Sequence, residues 1–280
     1  MNSSCKDFRV LDSVMANSLA FEIENNTCNT ATTIVWVKLP VAKAGLNNVV
    51  YAFYGNNTAS DGQNKAGVWS NGFSLVYHLS DLSDSTGTKN LDNYGGVTDT
   101  GVRGIATTAY YYGGVANYSS ANVNIGLQTI HGPSAVSLWA KPASTSGTKY
   151  LFTDWCSEWG LYHSGANSYA RAYSTTGVDS FVSGTWYHIA VSHAHPNPGY
   201  VNTTIRTFAN GAFKYQANWT FTTQNGYTDS QYSIGGDGCY AGTFFNGTID
   251  EVRVSKVARS DDWLIAEYAQ TYSVGSEQVN

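Results

Sequence analysis

From Ser134 onward the chain repeats one pattern: a short run of β-branched and aromatic residues, then a break at Gly, Ser or Asn, then another run. AVSLWAK sets Val136, Leu138 and Ala140 on one face of a strand and Trp139 on the other. KYLFTDW, LYH, SYARAYS and GTWYHIAVSH follow at similar spacing. IRTFANGAFK turns back at Asn210-Gly211, a pair suited to the positive φ of a two-residue hairpin, and NWTFT continues the meander. Strands this short cannot bury an apolar face alone. They need two sheets packed face to face, so the pattern predicts a β-sandwich.

The stretch from Tyr232 to Ser255 closes that series. Glycines 235, 236 and 238 loosen a turn, and Asn246-Gly247 is read as the corner of a tight hairpin. Thr248 to Ser255 is then a strand whose alternation slips once, with Val252 and Val254 on one face and Ile249 on the other. A bulge near Asp250-Glu251 would bring all three inward and re-aim a carboxylate. One helix is expected, from Ser260 to Thr271. Ser260 caps it, Asp261 and Asp262 sit at its positive end, and Leu264 and Tyr268 share a face that should pack over an edge of the sandwich. The tail from 273 to 280 is polar.

Before the sandwich, residues 1–62 make a short β unit. Thr33 to Leu39 and Val49 to Tyr54 are apolar on both faces and are read as buried strands. Residues 63–68 are read as a polar linker. The sandwich is placed at 68–272, opening with Phe73, Leu75, Tyr77 and Leu79 on one strand face. Residues 84–133 should be long loops with short strands, Tyr110-Tyr111-Tyr112 among them.

Charge is sparse, at 12% of residues and a net −5, with no basic run, which argues against nucleic acid as a partner. No apolar stretch is long enough to span a membrane. Cys5, Cys28, Cys156 and Cys239 contain no C-x-x-C pair, so disulfides are preferred to zinc or redox chemistry. Three pairings are possible. The one adopted is Cys5 with Cys28 and Cys156 with Cys239, against the alternative of four buried thiols. N-x-Ser/Thr sequons occur at Asn2, Asn25, Asn56, Asn117, Asn202, Asn218 and Asn246, only slightly more than chance gives in a chain this rich in Asn, Ser and Thr.

Catalytic signatures are scarce. Glycoside hydrolysis needs two carboxylates about the scissile bond, and the nearest pair, Glu22 and Glu24, falls outside the sandwich. There is no G-x-S-x-G elbow and no phosphate-binding loop. His193 and His195 would share a strand face, but no third ligand accompanies them. Trp155, Trp159, Tyr162 and Trp219 lie near strand ends or loops and could offer ring faces to a sugar. Trp36, Trp139 and Trp186 are assigned to the core.

Two resemblances add to this reading. GTIDEVRVSKVARSDDWLIAEY, with the W-x-H-[IV]-A strand at Trp186–Ala190 and the turn SDLSDSTGTKN, resembles the laminin-G-like, concanavalin A-like sandwich domains of secreted proteins. DFRVLDS, LAFEIEN, TIVWVKLP and VVYAFYGN resemble part of DUF2341, a domain that commonly precedes such a sandwich; its opening strands, expected before Asp7, are missing. The implied fold is all-β, a jelly-roll sandwich with a short β N-terminal unit and one C-terminal helix. The resemblance implies a structural calcium site at Asp250 with Asp84 and Asp237, against the alternative that Asp250 caps backbone N–H groups at the bulge. The expected function is a non-catalytic extracellular structural or adhesive protein, self-associating head to tail into a surface assembly or filament. The alternatives are a calcium-dependent, lectin-type glycan-binding module, or a glycoside hydrolase or its accessory domain.

Overall fold

A computed structural model describes residues 1–42, 47–95, 97, 104–122, 134–154, 159–172, 174–194, 201–221, 231–237 and 240–277. They form two compact units, one of Met1–Asn71 with Ser85–Gly87 and one of Gly72–Asp84 with Thr88–Asn280.

In the first unit, β1 (Arg9–Leu11) pairs antiparallel with β4 (Tyr51–Phe53), and β2 (Phe21–Ile23) with β3 (Val35–Val37). The two apolar runs seen in the sequence thus do not pair with each other; each takes an earlier strand as partner. Cys5, Val10, Leu19, Phe21 and Ile23 make a small core, with the ring of Phe8 edge-on to Phe21 at 5.5 Å. The Cys5–Cys28 disulfide closes beside it, its Cα atoms 5.8 Å apart.

The expectation that both apolar runs are buried is not met. β3 is half-buried, and β4 is open, with Tyr51 41%, Phe53 45% and Tyr54 66% exposed. A two-stranded ribbon three residues long has too few neighbours to cover both of its faces. The predicted linker is also structured. Asn64 Oδ1 accepts the Gly67 N–H at 2.9 Å and caps one helical turn, α1 (Lys65–Val68). Trp69, buried directly after it, donates its indole N–H to Glu22 at 2.6 Å.

The second unit holds β5 (Phe73–Tyr77), β6 (Asp92–Tyr94), β7 (Tyr110–Gly113), β8 (Tyr118–Asn122), β9 (Ser134–Pro142), β10 (Thr148–Asp154), β11 (Trp159–Ser164), β12 (Asn167–Ala172), β13 (Ser174–Ser180), β14 (Tyr187–Ala194), β15 (Val201–Ala209), β16 (Ala212–Phe221), β17 (Gln231–Ile234), β18 (Asn246–Ser255) and the helix α2 (Asp261–Glu277). The first sheet runs β13-β12-β11-β10-β17-β8-β6. The second runs β16-β15-β14-β9-β18-β5, with β7 also paired to β18. Val136, Leu138, Ala140, Ile189, Val191 and Ile205 of the second sheet pack against Phe152, Leu161, Ala170 and Ile234 of the first.

The alternation slip in β18 is a bulge. Its register against β9 shifts between Asp250 and Arg253, Glu251 takes φ +50°, and Ile249, Val252 and Val254 are all buried in the core. Asn246-Gly247, however, is no hairpin corner. Both lie inside β18, paired to Gly113 and Tyr112 of β7. The glycine answers a close approach, since a Cβ there would stand 2.4 Å from the Lys141 carbonyl. The Asn210-Gly211 corner is as predicted, with φ +50° and +72° between paired Ala209 and Ala212. A register shift near Ser255 takes Phe73 out of the expected core face and under the Arg259 guanidinium, 4.4 Å above its ring. α2 runs past Thr271 because Tyr272 stacks on Tyr268 one turn earlier, centroids 5.4 Å apart.

Candidate functional site

The first sheet turns Phe152, Leu161, Ala170 and Ile234 into the core, so the residues alternating with them face away from it. On that far side the register assembles a row of rings. Tyr169 of β12 stands opposite Tyr162 of β11, and Tyr162 opposite Tyr150 of β10, with centroids 5.3 and 5.4 Å apart. Tyr150 is bridged to Phe244, Phe244 stacks on Tyr118 of β8 at 6.1 Å, and Tyr118 stacks on Tyr94 of β6 at 4.9 Å. Paired residues project from the same side of a sheet, so these six rings form one row across the strands. A bulge keeps Tyr150 in line. The register shifts between Tyr150 and Phe152, so Leu151 and Phe152 both enter the core while Tyr150 stays opposite Tyr162.

Beside the rings, the same registers align Arg171, Gly160, Thr153, Ser233, Ser120 and Asp92. Arg171 is exposed at one end, and Asp92 at the other lies 3.5 Å from Lys89. Thr153, Ser233 and Ser120 are buried, and the Ser120 hydroxyl has no partner among the described residues. The Tyr162 hydroxyl lies 3.2 Å from Thr175 Oγ1. Burial, and secondarily Tyr94 and Asp237, push the Tyr118 phenol up, so it stays neutral near pH 7. Uncharged rings that carry phenol hydroxyls suit a ligand with apolar ring faces and hydroxyl groups.

A second polar cluster lies where α2 covers the second sheet. The bulge at Asp250-Glu251 turns Asp250, Glu251 and Arg253 to this side. Glu251 meets His78 Nδ1 and an Arg253 N–H, each at 2.8 Å. Glu267 of α2 accepts from the Ser137 hydroxyl and faces His188 at 3.7 Å and Arg253 at 3.9 Å. Trp139 donates to Thr271 at 2.9 Å, and its ring stacks on Tyr268. Burial alone would raise both carboxyls. Around Glu267, His188 and Arg253 outweigh it and hold the pKa at about 2; around Glu251, His78 and Arg253 hold it below the usual carboxylate range. All these groups are buried, and the cluster fastens the helix to the sheet.

The residues singled out in the sequence divide accordingly. Tyr162 is in the ring row. Trp159 is not the exposed platform expected of it: it is 4% exposed, edge-on to Phe152 in the core, because β11 alternates it with outward Gly160. Trp155, the Trp219 side chain, Cys156, Cys239, His131 and His195 lie outside the described residues. Asp84 Oδ1 accepts the Val76 N–H, and its Oδ2 those of Thr88 and Lys89, at 2.9 to 3.0 Å. Asp250 Oδ2 accepts from Ile105 at 2.6 Å and Oδ1 from Glu251 at 2.9 Å. Asp237 is buried beyond β17. Asp84 and Asp250 thus each cap backbone N–H groups. Glu22 and Glu24 are buried too, bonded to the indoles of Trp69 and Trp36. His163 is buried beside Phe181 and Phe245, and burial pushes its pKa down.

Sequence reasoning missed Tyr94, Tyr118, Tyr150, Tyr169 and Phe244. The alternation in SYARAYS does set Tyr169 and Arg171 opposite Ala170, but a row is a property of register, which no single strand carries.

The family model of the concanavalin A-like lectin/glucanases superfamily matches residues 113–264, and that of DUF2341, a domain of unknown function, matches residues 4–93. The chain belongs to the concanavalin A-like lectin/glucanases superfamily. The DUF2341 match runs well past the expected limit at residue 62 and takes in β5 and β6, which pack in the second unit. Among solved structures, domain 4 of AbnA, an extracellular GH43 arabinanase from Geobacillus stearothermophilus, in complex with arabinotriose, is 18% identical with a TM-score of 0.50, covering 72% of this chain and 98% of that one. The botulinum neurotoxin serotype D binding domain is 13% identical with a TM-score of 0.54, covering 71% of this chain and 52% of that one. The binding domain of botulinum neurotoxin DC, in complex with rat synaptotagmin II, is 10% identical with a TM-score of 0.53, covering 72% and 52%. At such identities the likeness is one of fold. The match spans about half the length of the neurotoxin domains. No curated protein matches the chain.

Proposed function

We propose that the chain is an extracellular, non-catalytic binding module that takes a neutral glycan along the ring row of the first sheet. The observation that carries this is the alignment of six aromatic rings from Tyr169 to Tyr94 on the side of the first sheet away from the core. Sugar rings present C–H faces to aromatic rings and hydroxyls to hydrogen-bonding groups, and the tyrosines of the row carry both a ring face and a phenol hydroxyl. The superfamily, and a similar fold in a domain solved with arabinotriose, support the reading. The Cys5–Cys28 disulfide favours an oxidising compartment, and no described helix is long and apolar enough to cross a membrane. A glycan array probed with the wild type, Tyr162→Ala and Tyr118→Ala is the test. Retention of neutral oligosaccharides, weakened roughly 2- to 10-fold per ring removed, is expected. Background signal for the wild type, equal binding by both variants, or release of reducing sugar on incubation would each refute it.

A second reading, self-association into an adhesive surface assembly or filament, is favoured by one observation. β4 exposes Tyr51 and Phe53, with Val49, Val50 and Tyr54 beside them, and pairs on one side with β1. A second copy of the chain would cover that strand.

A further inference from the structure

The seven sequons differ in what holds the acceptor amide. An N-linked glycan is built on Nδ2, so the folded chain has to leave that nitrogen in solvent. Asn117 is half-buried and donates Nδ2 to the Gly95 carbonyl at 2.5 Å. Asn246 is half-buried within β18, between β7 and β9; its Oδ1 accepts the Tyr111 hydroxyl at 2.9 Å. Asn25 is half-buried 3.5 Å from Lys65 Nζ. Asn2 is half-buried, its Oδ1 tying the N–H groups of Ser4 and Lys6 in the turn around Cys5. The Asn202 side chain lies outside the described residues.

Asn56 and Asn218 are exposed, and each is held through Oδ1 alone among the described residues. Asn56 accepts from Thr58, the third residue of its own sequon, at 3.1 Å from N–H and 2.8 Å from Oγ1. Asn218 accepts from Thr204 Oγ1 at 2.9 Å across the β15–β16 pair. No described residue takes either Nδ2.

We propose that, of the sequons whose side chains are described, Asn56 and Asn218 carry N-linked glycans. The donor is an oligosaccharide on a lipid-linked phosphate. Nδ2 loses a proton and bonds to the anomeric carbon, while the bond from that carbon to the phosphate oxygen breaks and the lipid phosphate leaves with the electron pair. A glycan on Asn218 stands on β16, the terminal strand of the second sheet, where it obstructs pairing with another chain.

The test is peptide mass spectrometry of the protein isolated from its source cells. Peptides carrying Asn56 and Asn218 should be heavier by hexose- and hexosamine-type increments, and those carrying Asn117 and Asn246 should not. Asn56→Gln and Asn218→Gln, expressed in the same cells, should each remove one step of mass and leave the melting temperature of the deglycosylated protein unchanged. Sugar on Asn117 or Asn246, or unmodified Asn56 and Asn218, overturns the proposal.

Discussion

At the scale of single residues, the bulge at Asp250-Glu251 shows how a local backbone choice sets buried chemistry. The slip in alternation was readable in the sequence, because three apolar residues cannot all face inward on a regular strand. The partners His78, Arg253 and Glu267 were not readable, since they meet only through the pairing of β18 with β5 and the docking of α2. Their titration has a defined direction. The Glu267 carboxyl sits at about 2 against an ordinary 4.5, so its contribution is complete above 4.5 and is lost as pH falls toward 2; Glu251 acts in the same sense. His163, held neutral by burial below its ordinary 6.5, adds a loss of stability that begins below that pH. Urea midpoints should therefore fall steadily from pH 7 to pH 3, and Glu267→Gln should flatten the lower part of that curve. A flat wild-type profile would contradict the network. Asp250→Ala frees the N–H groups of Ile105 and Glu251 and should cost about 1–3 kcal/mol. The loss should be equal in calcium and in chelator; a loss seen only in calcium would assign Asp250 to a metal.

At the scale of elements, local chemistry was legible and coverage was not. Asn210-Gly211 specified its own corner through the φ each residue tolerates, whereas Asn246-Gly247 has the same letters inside a strand flanked on both sides. Apolar runs at 33–39 and 49–54 announce strands, but whether a strand is covered depends on how many neighbours it finds, which its own residues do not encode. Gly211 links the hairpin to the helix: with φ +72°, a Cβ there would stand 2.4 Å from the Tyr268 ring. Gly211→Ala should cost roughly 1–3 kcal/mol, from the left-handed backbone and the displaced ring together. An unchanged denaturation midpoint would show that α2 yields freely at this point.

At the scale of the whole molecule, the sandwich and the C-terminal helix were present in the sequence as rhythm, while the ring row waited on the order of strands. Self-association is decided here as well. Light scattering should give a mass above the monomer that rises with concentration, and Tyr51→Ser with Phe53→Ser should return it to the monomer; a wild type that stays monomeric ends that reading. The place of β18 has one more consequence, in time. It is an inner strand of the second sheet, one place from its edge, pairing β9 on one side and β5 and β7 on the other, and it comes last in chain order among the described strands. Tyr77 must wait for Val252. During synthesis β5, β7 and β9 leave the ribosome before the strand they all pair with, whereas the first unit, with partners such as Arg9 and Phe53 and a disulfide spanning 23 residues, can close long before. That part of the second sheet is therefore a late closure, and until β18 emerges the pairing edges of β5, β7 and β9 stay open.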